Sequence, residues 1–370
     1  MKTGNFHAFS IFLTILATFF IAQAGLAATY YVSPDGTAAW SLCTSMYSPC
    51  SLATANANAV AGDVVVLRGG QYSMHIFPAH SGTSVNSRIT YQAYAGETPI
   101  IANTTEAYGT YYHGITLGGR AYIKVDGVTV NAKGVPSGKY RPLMITHGGS
   151  YNEIVNCTID GNGSAEIQIW DGVSSVPDTG TPCVHNWIHN STIRNTGSVG
   201  ADCNDNGGMQ IGVPAYDKNS GNNTIENNVF YGGGHHNLET FTKYNVIRNN
   251  YFHHEGSMAS PGGCPYGPDT NGKYGNRNIQ IYDGYAEDGK YNLIEGNRFG
   301  HAGPPPDDDG GDGLTITAPK NIIRYNAIFN SLNNGVLFKT GYNSLADYNR
   351  FYNNTIYKSG RYKNAGDLWQ

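Results

Sequence analysis

The sequence predicts an all-β fold: a right-handed parallel β-helix, or solenoid, with an N-terminal capping helix. Three observations carry this. An eight-residue template, N-x-Φ-x-x-N-x-Φ with Φ apolar, recurs along the chain. A short segment alternating apolar and polar residues precedes each copy, as a half-buried strand requires. The interval between copies shrinks to 22 or 23 residues, the length of one bare solenoid turn.

The elements follow in order. Residues 1–28 hold one early Lys, an apolar run from Phe9 to Ile21 and small residues before Thr29. That pattern is a secretory signal peptide cut near Ala27 or Ala28, with an apolar core short for a membrane span. The mature protein is expected outside the cytoplasm, extracellular or periplasmic, with no membrane contact. Residues 29–370 form a single domain. Within about 29–72, "YYVSPDGT" and "GDVVVLRGGQY" read as strands around "SLATANANAV", an Ala-rich helix with Ser51 as N-cap. Such a helix plugs the open end of the solenoid. The turns run from about 87 to 358. The tail, 359–370, offers no evident cap.

The clearest template copies are Asn223-Thr-Ile-Glu-Asn-Asn-Val-Phe230, Asn245-Val-Ile-Arg-Asn-Asn-Tyr-Phe252, Asn292-Leu-Ile-Glu-Gly-Asn-Arg-Phe299 and Asn321-Ile-Ile-Arg-Tyr-Asn-Ala-Ile328. Weaker copies run from Asn152 to Ile159, Asn186 to Ile193, Ile123 to Val130 and Ser344 to Phe351. Their central apolar residues are Val125, Ile154, Ile188, Ile225, Ile247, Ile294, Ile323 and Ala346, at gaps of 29, 34, 37, 22, 47, 29 and 23. The Gly and Asn density leaves no helical periodicity, and a β-sandwich would not predict a fixed register of Asn. Stacked turns place Asn228, Asn250, Asn297, Asn326 and Asn349 in one column. Asn152, Asn186, Asn223, Asn245, Asn292 and Asn321 form another. Each amide is expected to bond the next turn, so that bends inside the core stay satisfied.

Composition narrows the ligand. Charged residues make up 14%, Tyr numbers 27, and the formal charge is −4, or −5 without Lys2. Nothing basic points to a nucleic-acid partner. A weakly charged, Tyr-rich, exported chain suits polar neutral or carbohydrate ligands, and a monomer is expected. Six cysteines in an oxidising compartment suggest disulfides. Cys43 and Cys50 are the expected pair, a second bridge is expected among Cys183, Cys203 and Cys264, and Cys157 reads as a buried free thiol.

The N-terminal "YYVSPDGT…GDVVVLRGGQY", the following "ITYQAYAGETPII" and the N-x-I-x-x-N-x-F turns resemble the pectin-lyase-like right-handed parallel β-helix proteins, over about residues 29–358. The resemblance implies the fold and, since that superfamily holds lyases, hydrolases, epimerases and proteins without known activity, only a range of functions. "IIRYNAIF" (322–329) is similar to a turn of chondroitinase-B-type and alginate lyases. Glu239 and Lys243 match the catalytic Glu and Lys of that group only loosely, with a different spacing. The polygalacturonase aspartates with Arg-x-Lys are absent, as is the pectate-lyase Arg-x-Pro-x-x-Arg.

Alternation on the upstream strands turns Gln168, Gln210, Glu239, Gln280 and Thr315 outward, with Trp170, Phe241, Tyr282, Thr317 and Lys339 beside them. Exposed amides alternating with rings suit sugar hydroxyls and apolar sugar faces. Gln168, Trp170, Gln210, Phe241, Gln280 and Tyr282 are therefore the candidate substrate-binding residues, against the alternative of an ordinary solvated sheet. Long loops at 195–206, 253–277 and 300–312 enter this strand at one point of the turn and should form a wall above it. The wall collects histidines, including His235, His236 and His254, and carboxylates. "PPPDDDGGDG" is the candidate Ca²⁺ site, through Asp307, Asp308, Asp309 and Asp312. The histidines lack zinc-protease spacing.

A polysaccharide lyase must neutralise a uronate carboxylate and then remove the adjacent proton. Lys339, Lys243, Glu239, His254 and His235 are the catalytic candidates. A hydrolase needs two carboxylates, for which Glu239 with Asp283 or Asp312 would serve. The expected function is β-elimination on an acidic polysaccharide. A non-catalytic glycan-binding or surface-structural protein and a glycoside hydrolase are the alternatives.

Overall fold

The computed structural model describes residues 27–360 and 368–369, apart from 103–106, 109–110, 132–139, 165–166, 173–179, 197–207, 214–216, 218, 234–235, 254–276, 284–288, 303–310, 332 and 341–344. Three sheets of 11, 10 and 10 strands run the length of the molecule. We call them A, B and C in the order the chain visits them. One turn reads Val246–Arg248 in A, Tyr251–His253 in B and Arg277–Ile281 in C, before Leu293–Glu295 returns to A. Pairing between turns is parallel, save Ala107–Tyr108 against Tyr111–Thr116. This is a parallel β-helix.

The template explains each bend. Its first apolar residue lies in A and its second in B, and both point into a core where Ile225, Ile247, Ile294 and Ile323 are fully buried. Phe230, Phe252 and Phe299 stack beside them at centroid distances of 4.6 and 5.4 Å. From Asn152 to Asn326 the ladder asparagines are buried, each Oδ1 accepts from a backbone N–H of the turn before, and most accept from that residue's side-chain amide as well. Asn228 N and Nδ2 donate to Asn250 Oδ1 at 2.9 and 3.1 Å, and Asn250 repeats this toward Asn297. The residue before each ladder position takes a left-handed backbone, for example Tyr244 (φ 62°) and Asn249 (φ 55°). That conformation costs roughly 1–2 kcal/mol for an L-residue, less for Asn. The ladder holds the bend against that cost.

One register assignment is corrected. Phe351, not Ala346, pairs with Ile323. The last copy is therefore Asn349-Arg-Phe-Tyr-Asn-Asn-Thr-Ile356. Asn349 continues the column of Asn321, whose N–H donates to its Oδ1 at 2.7 Å. Asn354 takes the place expected of Asn349 and accepts from Asn326 N at 3.0 Å.

The ends match expectation in part. The helix Leu52–Asn58 is N-capped by Ser51, whose Oγ accepts from Thr54 N at 3.1 Å. At the other end, Leu368–Trp369 adds a strand to sheet C beside Val336–Phe338. The expected signal peptide falls almost wholly in 1–26, outside the described residues. No described helix is long and apolar enough to cross a membrane.

Cys43 and Cys50, expected to be bridged, are buried free thiols here. Their S–H groups face Trp40 O and Tyr31 O at 3.1 and 3.6 Å. Cys183 is also a free buried thiol, and its expected partners Cys203 and Cys264 lie outside the described residues. Cys157 is buried and free. Burial pushes the Cys157 and Cys183 thiols up to about 12. Neither should react with a thiol reagent at neutral pH until the chain unfolds. Rapid labelling of the native protein at either position, read by peptide mass, would contradict this burial.

His113 lies in the sheet C strand Tyr111–Thr116, with Nδ1 3.0 Å from Thr116 Oγ1. Burial, then the nearby His75 and Arg141, lower its pKa to about 4. The native state thus keeps it neutral while the unfolded chain takes a proton near pH 6.5. Stability should fall as pH drops from 6.5 toward 4, by about 3 kcal/mol from this residue. His113→Asn should flatten that part of the unfolding-midpoint profile. An unchanged slope would remove His113 as its source.

Candidate functional site

Sheet C meets the variable part of every turn. The long segments at 197–207, 254–276 and 303–310 each join a sheet B strand to a sheet C strand, so they enter sheet C at one end. Its inward residues Ile167, Ile169, Met209, Ile211, Leu238, Ile279, Ile281, Leu314 and Ile316 are fully buried. Register stacks Gln168, Gln210, Glu239, Gln280 and Thr315 outside them, in the expected column.

At the entering end, a second column adjoins it. His236 pairs with Arg277 in register, and each lies three residues before an outward residue, Glu239 and Gln280. Asp312 stands likewise three residues before Thr315. The side chains form one network. Arg277 Nη1 donates to Gln280 Oε1 at 2.9 Å, and His236 Nε2 lies 2.8 Å from the same oxygen. His236 Nδ1 lies 3.7 Å from Glu239 Oε2. Arg277 Nε is 3.8 Å from Asp312 Oδ2. Asp312 also accepts from Thr315 Oγ1 at 3.1 Å and from Asn334 N and Nδ2, both at 3.0 Å.

Chemistry orients the network. Arginine only donates, so the Gln280 oxygen must face Arg277. With Nε2 protonated, the same oxygen accepts from it and Nδ1 is the free ring position turned toward the Glu239 carboxylate; in the other tautomer Nε2 accepts from Arg277 Nη1, 3.4 Å away. Proton uptake at Nδ1 creates an ion pair with Glu239. The arrangement can therefore hold an anion beside Arg277 and accept a proton at His236. The cluster is also covered: His236, Glu239, Arg277, Gln280 and Asp312 are 1, 8, 4, 4 and 0% exposed.

The expected residues separate along the strand. Glu239 and Gln280 belong to the network. Phe241 and Tyr282 form the next outward column, with ring centroids 5.2 Å apart, and Phe241 is buried. The open sugar face expected across this column is therefore closed at its middle. Gln168, Trp170, Gln210 and Tyr282 are half-buried. Lys339 continues the Tyr282–Thr317 column at the far end of the sheet, its N–H donating to Ile316 O at 3.1 Å. Two strands intervene between it and Glu239, a distance of about 14 Å at ordinary strand spacing. Lys243 sits past the strand end, in the turn toward sheet A, where its carbonyl accepts from Asn222 N. The two lysines and Glu239 are not brought together. His235, His254, Asp307, Asp308 and Asp309 lie outside the described residues. Asp312, expected as a calcium ligand, has both oxygens engaged by the bonds above. Among the described residues, no three His, Cys, Asp or Glu side chains converge as metal ligands would.

Arg277 was not among the expected residues. Its signal is the recurring three-residue offset that it shares with His236–Glu239.

The model of the Pel9A-like right-handed β-helix region matches residues 30–238, more than half of the chain. Among solved structures, pectate lyase Pel9A is 15% identical, with a TM-score of 0.52 over 86% of this chain and 67% of that one. The GH136 lacto-N-biosidase from Eubacterium ramulus is 14% identical, with a TM-score of 0.55 over 92% and 68%. An alginate lyase from a Paenibacillus species is 16% identical, with a TM-score of 0.48 over 81% and 98%. At these identities the likeness is one of fold. No curated protein matches the chain.

Proposed function

This chain belongs to the Pel9A-like right-handed β-helix family, and on that premise we propose that it cleaves an acidic, uronate-containing polysaccharide by β-elimination. The observation that supports this is the pairing of Arg277 with His236 across Gln280. The guanidinium would offset the uronate carboxylate, which makes the adjacent C–H acidic. His236 Nδ1 would take that proton, and Glu239 would stabilise the imidazolium. Gln280 fixes the ring. The leaving sugar oxygen departs as a hydroxyl, taking a proton from solvent or the one handed on by the imidazolium, as the double bond forms, and no net water is consumed. The family match covers His236 and stops at residue 238, so Glu239, Arg277 and Gln280 are read from geometry alone.

A second function has one observation in its favour. Every member of the cluster is more than nine-tenths buried, as a structural network would be. A non-catalytic, glycan-binding β-helix would keep it for that purpose. The Glu239–Asp312 pair suits hydrolysis less well, because both oxygens of Asp312 are held by donors, and Asp283, the other expected partner of Glu239, is fully buried.

Incubation with polygalacturonate, alginate and chondroitin separates these. An unsaturated uronate, seen by ultraviolet absorbance, signals elimination. New reducing ends without absorbance signal hydrolysis. Binding with neither leaves the glycan-binding function. Neither cleavage nor binding removes all three. The same assay after EDTA tests the calcium expected at Asp307–Asp309.

A further inference from the structure

The outer face of sheet B carries a second cluster, on a different sheet from His236 and Arg277. Tyr231 and Tyr251 flank the His253 ring at centroid distances of 5.3 and 4.4 Å, with interplanar angles of 25° and 18°. Tyr251 faces Phe329 at 6.4 Å and 19°. Register makes this possible, because Gly300 stands between His253 and Phe329. A Cβ on Gly300 would come within 2.8 Å of the Phe329 ring and 3.4 Å of Tyr251. The missing side chain is what lets both rings lean over that rung.

Arg298 lies across this gap. Its guanidinium carbon is 4.6 Å from the Tyr251 centroid and 5.7 Å from that of Phe329. Arg298 is exposed, and the rings are half-exposed. No described carboxylate pairs with it. The one acidic side chain in the outward columns from Thr158 to Tyr357 is Asp160, which holds Arg194 at 2.8 Å. The protein as a whole is net acidic, so a cation on an aromatic shelf with no described carboxylate partner is not a product of composition. Stacking holds the guanidinium in place and leaves its donors for an anion.

We propose that this shelf binds a stretch of acidic polysaccharide outside the cleavage site, with sugar faces on the rings and a uronate carboxylate on Arg298. It rests on the acidic-glycan substrate class proposed above and adds a second contact with the same polymer. The surface would keep the long substrate on the solenoid between cleavage events, through multivalency.

The test is electrophoresis of the full chain through gels containing polygalacturonate, alginate or, as the neutral control, dextran. The wild type should be retarded by at least one uronate polymer and not by dextran. Arg298→Gln and Tyr251→Leu should each weaken retardation by about fivefold, the effect of losing one contact of ordinary strength. Cleavage of short oligosaccharides should stay unchanged in Arg298→Gln. Equal retardation of wild type and both variants would overturn the proposal. So would retardation by dextran or by none of the polymers. Retention is read without turnover, so failure of the cleavage reaction and failure of this surface give different results.

Discussion

Asn250→Ala should be among the most damaging single substitutions in the scaffold, costing about 4 kcal/mol by the loss of four buried hydrogen bonds. Asn250 Oδ1 accepts from Asn228 N and Nδ2, at 2.9 and 3.1 Å. Its Nδ2 donates to Ile225 O at 2.8 Å and Asn297 Oδ1 at 3.1 Å. Alanine leaves the backbone N–H of Asn228 and the carbonyl of Ile225 buried without these partners, and water cannot easily replace them inside the bend. Two substitutions bracket the effect. Asn250→Ser should cost less, because Ser191 already serves in that column and accepts from Cys157 N at 3.1 Å. Asn249→Gly, one residue away, should stay within about 1 kcal/mol, because Gly relieves a left-handed backbone at the expense of chain entropy. Urea unfolding measures all three. Similar losses at 249 and 250 would show that the ladder is not what holds the turn.

The same two positions show why the scaffold is legible in sequence. A solenoid places every turn in register with the last, so a local requirement at one bend appears as a period in the chain. The template records both ladder columns and both apolar columns. It misassigned the last turn for a physical reason. The two ladders are five residues apart and each precedes an apolar residue by two, so a five-residue shift maps one onto the other. Only pairing with the neighbouring turn decides, and Phe351 opposite Ile323 does so. The outward column Gln168–Gln210–Glu239–Gln280–Thr315 is likewise readable by alternation. Its burial is not, because exposure depends on what else packs against the sheet and not on the strand's own pattern. Arg277 was hidden differently. It stands at the end of a polar loop with no alternation, and its place in the network appears only when the preceding sheet C strand sets His236 beside it.

Arg277→Ala should slow cleavage of an acidic polysaccharide about a hundredfold to a thousandfold, the range seen when one preorganised charge-stabilising donor is removed. Arg277→Ala alone cannot separate catalysis from folding. Asp312 is fully buried and sits 3.8 Å from Arg277 Nε, and removing the cation leaves that carboxylate with fewer partners. The decisive comparison is therefore His236→Gln. Glutamine can keep a polar contact with Gln280 but cannot take up a proton, so this protein should fold and bind polymer while kcat collapses and KM changes little. Glu239→Gln should fall between them, since it removes only the partner of the charged imidazole. If His236→Gln keeps wild-type turnover while Arg277→Ala merely lowers the unfolding midpoint, the network is structural. The elimination chemistry would then have to be sought elsewhere on the solenoid, with Lys339 at the far end of sheet C the first side chain to substitute.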